Sequence, residues 1–405
     1  MSSTIVPRQR IQSIDVLRGL VMVIMALDHV RDFFYKTDIT KAGDAALNPT
    51  NMQTTFPALF FTRWITHFCA PIFVFLAGTS IYLMCQRKTK REISIFLIKR
   101  GFWLVVVELL IITFGWTFDP QYHLLIMQVI WAIGISMIIM GMLVLLPYKW
   151  MLALGIIIVA GHNILNYSVV NESLKGGLWA DLLYFADFST YQIFKGHYII
   201  IIYSFVPWLG IMLLGYCFGR FYGSSFDPGK RRKILIQLGT GLIFLFILLR
   251  LLNMYGDPAP WHEQPRGTVY TFLSFLNVNK YPPSLIFFAM TLGPGILFLG
   301  LIEKVQNRFT GILNIYGRVP MLYYILHFFI IHTLVVITFY VQGFGNDDII
   351  TEGVPFFFKP GGLGFGLPGV WAVWIFVVVI LFPVCKWYDK YKTVNVRTKP
   401  WLSYL

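Results

Sequence analysis

The sequence predicts an all-α membrane protein, a bundle of about ten transmembrane helices with both termini in the cytoplasm. Three observations predict it. Of 405 residues, 57% are hydrophobic and only 13% are charged, with a mean hydropathy of +0.67. A soluble domain is about 25% charged. Apolar windows of about 20 residues recur along the chain, each long enough to cross a bilayer. The Lys and Arg residues collect in alternate connections, which is how membrane topology is written in a sequence.

The spans are taken in order. The first, 13–34, follows a polar, basic start (Met1 to Gln12) and has no small-residue cleavage site after it, so it reads as retained and as its own insertion signal. The next are 57–85, 94–115, 122–147 and 150–168, the last two joined by the tight turn Pro147-Tyr148-Lys149-Trp150. Then come 198–222, 234–255, 284–302, 319–341 and 367–387. The whole chain, 1–405, reads as a single multi-pass domain. The 12 Trp and 21 Tyr suit anchoring at the membrane interface.

Charge sets the orientation. Arg8, Arg10, Arg87, Lys88, Lys90, Arg91, Lys99, Arg100, Lys149, Arg220, Lys230 to Lys233, Lys304, Arg308, Arg318, Lys386, Lys390, Lys392, Arg397 and Lys399 make 22 of the 33 basic residues on one side. The other side has seven: Lys36, Lys41, Lys175, Lys195, Arg266, Lys280 and Lys359. The richer side is cytoplasmic by the positive-inside rule. A net charge of +14 distributed this way is a topology signal, and nucleic acid is excluded as the partner it implies. Cys69, Cys85, Cys217 and Cys385 have no paired spacing and read as small apolar residues, so no metal is expected. Four long connections, 35–56, 169–197, 256–283 and the Gly-rich 342–366, fall on the outer face as candidate covers for a substrate site.

The first span carries the chemistry. It contains Asp15 and Arg18 near one end and Asp28, His29, Arg31 and Asp32 near the other. Ionisable groups at membrane depth are costly and mark functional sites by default. Arg18 and His29 are eleven positions apart, about 20° from three full turns, so they share a helix face about 16 Å apart. Asp15 and Arg18 are spaced to pair at the inner end, while Asp28 with Asp32 and His29 with Asp32 share helix faces at the outer end. A carboxylate beside a histidine holds one tautomer and makes the ring more basic, which suits a general base. The second span carries Arg63 and His67. It runs in the opposite direction, so His67 and His29 fall at matching depth and could converge. The stretch Ala77-Gly78-Thr79-Ser80 is small enough for a helix or ligand to approach closely. His327, His332, Glu108 and Arg250 are read first as packing or hydrogen-bonding residues. Arg318, at an inner helix start, is either a phosphate contact or an ordinary positive-inside residue.

A family resemblance rests on these residues and a few more. Arg10 to Leu20 followed by Leu27-Asp28-His29, His67 ahead of Pro71 to Gly78, Pro207-Trp208-Leu209-Gly210, Asn279 to Ser284 with Thr291 to Pro294, and Tyr316 to Pro320 stand in this order. The set resembles the transmembrane acyltransferases, in particular bacterial relatives of heparan-α-glucosaminide N-acetyltransferase, over most of the chain. The resemblance implies a bundle of about ten or eleven helices, acetyl-CoA entering from the cytoplasm, and a glycan acceptor at the outer face. It places the catalytic histidine at His67, and the Arg, ten residues, His pattern of the broader O-acyltransferases at Arg18 and His29. The glucosamine branch has Asn where this chain has His29, which tilts the acceptor toward a hydroxyl over an amine. The large lumenal domain of the eukaryotic relative is absent.

The function this predicts is acyl transfer at the bacterial cytoplasmic (inner) membrane. His67 is the base or a transient acyl carrier, and His29, oriented by Asp28 or Asp32, is a second base or oxyanion stabiliser. Arg18 contacts the donor or locks its helix through Asp15, and Arg318 is a further donor contact. The partners are membrane lipids and a sugar acceptor; a homodimer is left open. A proton-coupled transporter using the same Asp, His and Arg groups is the alternative from another class. A non-catalytic scaffold would leave the charged first span unexplained.

Overall fold

The computed structural model describes residues 11–36, 48–349, 356–396 and 398–403. Arg8, Arg10, Lys41, Gly353 and Arg397, which entered the charge and loop readings, lie outside the described residues. The main helices are α1 (Gln12–Phe34), α2 (Pro57–Cys85), α3 (90–117), α4 (Val129–Leu143), α5 (Tyr148–Asn166), α6 (Val206–Phe218), α7 (Pro228–Leu252), α8 (Leu285–Ile302), α9 (Arg308–Arg318), α10 (Pro320–Val341) and α11 (Leu367–Asn395).

The protein is a mostly helical membrane protein. Six helices, α2, α5, α7, α8, α10 and α11, are each long and apolar enough to cross a bilayer. The other four expected spans depart from that standard for physical reasons. α1 is long enough but carries Asp15, Arg18, Asp28, Arg31 and Asp32. The 94–115 span lies within α3, whose ladder widens to a π-turn at Val107–Ile112. The 122–147 and 198–222 spans each begin as a strand, leaving helices of 15 and 13 residues.

The all-α membrane architecture fits, and those strands add one small sheet to it. β1 (Leu124–Met127), β2 (Ser189–Phe194) and β3 (His197–Ile201) form a sheet in the order β1-β3-β2. β1 runs parallel to β3, from Leu124 opposite Tyr198 to Met127 opposite Ile201. β2 and β3 form an antiparallel hairpin whose turn uses Gly196 at φ +78°. Leu-Leu-Ile-Met and His-Tyr-Ile-Ile-Ile are continuous apolar runs, and such runs have no period that separates a strand from a helix.

α1 lies at the centre and packs against α2, α9, α10 and α11. Around it α2 pairs with α6, α3 with α4, α5 with α6 and α7 with α8. Phe102, Ile157, Phe244 and Val379 leave α3, α5, α7 and α11 with exposed apolar side chains, as lipid-facing surfaces require. Glycine pairs let helices cross closely, Gly101 with Gly134 between α3 and α4 among them. A Cβ on Gly19 would sit 1.8 Å from the Leu313 carbonyl oxygen, and one on Gly317 would sit 1.8 Å from that of Asp15. α1 and α9 therefore touch backbone to backbone. Gly78 and Gly215 do the same for α2 and α6, at 2.0 Å from Met212 O and 2.1 Å from Phe75 O.

Candidate active site

The C-terminal end of α1 opens into a cavity of about 780 Å³. Asp28, His29, Arg31 and Asp32 enter it from the last turns of α1, and Arg63 and His67 from α2. All four long connections contribute to its wall: Asn48 to Thr50, Asp187 and Phe188, Asn277 to Tyr281, and Phe356 with Lys359. The sheet supplies Leu124, Ile126 and Ile200.

His67 is presented by a local break in α2. Pro71 has no N–H to donate to the His67 carbonyl four residues earlier, and the helix tightens into a 3₁₀ turn over Ile65–Phe68. The imidazole is 3% exposed, edge-on to the Phe287 ring at 5.7 Å between centroids. Its Nδ1 is buried with no hydrogen-bond partner among the described residues. His29 reaches the cavity from α1, between Trp116 at 5.0 Å, Phe328 at 4.5 Å and His327 at 5.1 Å. The two histidines expected to converge thus line one space.

The expected orientation of His29 by Asp28 or Asp32 is not what the structure shows. Arg31 Nη1 lies 2.7 Å from Asp28 Oδ1, and Arg63 also pairs with Asp28. Asp32 pairs with Arg31. His29 Nδ1 has no partner among the described residues. The reason is competition and geometry. A permanently charged guanidinium binds a carboxylate more strongly than a neutral ring does. Asp28 faces Arg31 at i,i+3, whereas adjacent residues on a helix point about 100° apart.

Arg18 and Arg318 stand at the other end of α1 and α9, away from the cavity. Arg18 donates to Asp15 Oδ1 at 2.9 Å, to the Gly317 carbonyl at 3.2 Å and to Ser80 Oγ at 3.3 Å. The Asp15 pairing expected from the spacing is present, and it ties α1, α9 and α2 together. Arg318 pairs with Asp389 at 3.1 Å.

Arg63, noted in the second span, is joined by cavity groups to which the sequence assigns no role. Arg63 Nη1 also donates to Thr66 Oγ1 at 3.3 Å, and its Nη2 reaches the Tyr281 hydroxyl at 3.5 Å. Lys280 Nζ lies 5.0 Å from the Tyr281 ring centroid and 5.8 Å from that of Tyr203. Burial works against ionising the Tyr281 phenol, but the Lys280 and Arg63 cations outweigh it and bring the phenol below its usual value. Lys359 is 2% exposed and donates to the Tyr35 carbonyl at 3.0 Å and that of Leu363 at 3.2 Å. Burial pushes its ammonium down to about 7. The sequence signal for Lys280 and Tyr281 was their place in the Asn279 to Ser284 stretch; Lys359 had only its Gly-rich surroundings.

The wall that carries Lys280 and Tyr281 is held by Arg250, read first as a packing or hydrogen-bonding residue, and by Asp257. Arg250 is 1% exposed and donates to four backbone carbonyls: Phe275 at 2.8 Å, Ala259 at 2.8 Å, Ser274 at 2.9 Å and Asn277 at 2.6 Å. Asp257 accepts from Asn279 N at 2.9 Å, Ser284 Oγ at 2.7 Å and Ala259 N at 2.9 Å. Glu108 takes the Gln128 N–H at 3.1 Å, capping α4 from a neighbouring helix. His332 Nδ1 lies 3.1 Å from the Gly115 carbonyl and its ring stacks on Phe118 at 3.8 Å.

A polytopic helical bundle with two histidines and several cations around one cavity defines a membrane protein with a built polar site. Its family can be stated. A profile described as heparan-alpha-glucosaminide N-acetyltransferase, catalytic, matches residues 10–248. The match covers more than half of the chain, and the chain belongs to this family of membrane acetyltransferases. The matched residues run from α1 into α7; α8 to α11 lie beyond them. Among curated proteins none matches the chain.

Proposed function

We propose that this protein moves an acetyl group from cytoplasmic acetyl-CoA to a hydroxyl or amine of a glycan sugar on the outer face of a bacterial inner membrane. The observation that carries the reading is the convergence of His67 and His29 on one cavity in a chain of the acetyltransferase family. About 780 Å³ is room for a sugar residue and the acyl end of a donor.

In this reading ten segments cross the membrane, α1, α3, β1 with α4 and β3 with α6 joining the six long apolar helices, and both termini are cytoplasmic. The cavity is then the outer site, and Arg18 and Arg318 stand where the donor enters. His67 takes the acceptor proton or carries the acyl group between donor and acceptor. His29 assists as a second base. Arg63 and Lys280 are cations beside His67 where negative charge develops on the tetrahedral oxygen, which is the stabilisation acyl transfer requires. Asp28 and Asp32 balance and fix the arginines. The reaction needs no metal.

The test is acetyl-CoA binding to the detergent-purified protein by calorimetry, for wild type and His67→Ala. Saturable binding by both, with CoA released only by wild type, is the expected result. Absence of binding by folded wild type would remove the donor and leave a proton-coupled transporter as the better reading. Release of CoA by His67→Ala at the wild-type rate would remove His67 from the chemistry.

A further inference from the structure

Behind the His29 wall lies a set of polar atoms that the cavity chemistry does not use. His29 Nδ1, His327 Nε2 and the hydroxyls of Tyr323 and Tyr324 are all buried with no hydrogen-bond partner among the described residues. His327 and Tyr323 are 0% exposed and Tyr324 is 4%. Their rings adjoin one another. His29 to His327 is 5.1 Å, His327 to Tyr323 is 5.7 Å, His327 to Tyr324 is 5.5 Å and Tyr323 to Tyr316 is 5.4 Å. Tyr316 adjoins Gly317, which crosses α1 at Asp15 and Gly19. His29 is ten residues further along α1, about 15 Å. The row therefore leads from the cavity into the body of the bundle.

Buried polar atoms are nearly always hydrogen-bonded, and ordered water is the usual partner where protein supplies none. Four orphaned atoms on neighbouring side chains, one of them on a histidine that borders a cavity, make a polar place for such water. The site also needs one. Both carboxylates that could have stabilised a protonated His29 are held by Arg31 and Arg63. The His327 ring adjoins His29 at 5.1 Å, with its Nδ1 3.2 Å from the Tyr323 carbonyl and its Nε2 unpartnered among the described residues.

We propose that His327 and Tyr323 are positioning residues of a water-linked proton relay serving His29. The inference rests on the acyl-transfer reading. As the acceptor's O–H or N–H bond breaks, its oxygen or nitrogen bonds to the acyl carbon, and the carbon–sulfur bond of the thioester breaks. Where His29 serves as the second base of that reading, it takes this proton and passes it across water to His327. One proton returns through His29 to the thiolate sulfur, so none is gained or lost. α10, which carries His327 and Tyr323, lies outside the residues matched by the family profile.

The experiment uses the full-length purified protein with His327→Phe and Tyr323→Phe, which keep an aromatic ring and remove the polar atoms. The first readout does not depend on activity. Hydroxyl radicals generated by radiolysis label residues beside bound water, so buried His327 and Tyr323 should be labelled well above Phe339, which is also 0% exposed. Labelling no greater than that of Phe339 overturns the relay. The second readout is acetyl transfer. Each variant should lower kcat tenfold or more while donor KM stays within twofold, the solvent isotope effect changes and the melting temperature is kept or raised. Unchanged kcat in a folded variant assigns the cluster to packing alone and overturns the relay. If His327→Phe does not fold, Tyr323→Phe and His327→Gln carry the same expectation. Wild type that transfers no acetyl group refutes the acyl-transfer reading and the relay together, whereas active wild type with unaffected variants refutes the relay only.

Discussion

Replacing Arg250 with Met should loosen one wall of the cavity without touching its chemistry. Met keeps an apolar stem of similar reach and removes the charged head. That head makes four hydrogen bonds of 2.6 to 2.9 Å to carbonyls of residues 259, 274, 275 and 277, and it is 1% exposed. Hydrogen bonds to a charged group contribute about 1.5–3 kcal/mol each. They do not add in full, because carbonyls freed near the cavity regain water, and breaking a buried charged network costs about 3–5 kcal/mol. Asp257, 4.0 Å from Arg250, keeps its bonds to Asn279, Ser284 and Ala259 and holds part of the wall. At about 1.4 kcal/mol per tenfold, opening of this wall should become roughly 10²–10³ times more frequent. Hydrogen exchange read by mass spectrometry measures it directly. The amides of Asn277, Asn279 and Ser284, protected by Leu273 O, Asp257 and Asn279 O, should exchange faster by that factor. Amides within α8 should not change. Exchange within threefold of wild type across residues 274–284 would refute the clamp.

Three further outcomes are expected. Gly317→Ala, whose Cβ would lie 1.8 Å from a backbone oxygen of α1, should push α1 from α9 and cost several kcal/mol; a melting temperature equal to wild type would show that the crossing yields easily. Lys359→Met should stabilise the protein more at pH 6.5 than at pH 9.5. The folded-state value of about 7 lies below the ordinary lysine value of about 10.4, so the unfolded chain holds more protons between them and burial costs most below pH 7; an equal gain at both pH values would contradict it. Arg18→Ala should raise donor KM more than it lowers kcat if Arg18 stands at the donor entrance, and lost kcat with unchanged donor KM would remove it from that role.

Much of the site was legible because helical spacing is local. The face shared by Arg18 and His29, the Asp15–Arg18 pair and the matching depth of His29 and His67 follow from counting residues on two helices. The gathering of four connections at one end follows from their lengths and from strict alternation of spans. What stayed hidden is set by partners remote in sequence. Asp28 is expected to orient His29, but Arg63 arrives from α2 and takes it. The apolar runs Leu124–Met127 and His197–Ile201 carry no sign of the pairing that makes them strands. Lys359 becomes a cavity group only because its loop folds back over the end of α1, where Phe365 N donates to the Phe34 carbonyl at 2.7 Å.

The way α1 is fastened bears on how anything reaches the cavity. At one end Arg18, Gly19 and Gly317 lock it to α9 and α2. At the other Asp28 joins it to α2 through Arg63. A spar fixed at both ends to the same neighbour cannot tilt against it without breaking the Asp28–Arg63 ion pair at one end or the Arg18–Ser80 hydrogen bond at the other. Motions that rock one half of a bundle over the other would have to leave α1 and α2 together as one body. Entry and exit at the cavity therefore fall to the connecting segments that roof it, while the helices beneath stay as a fixed floor.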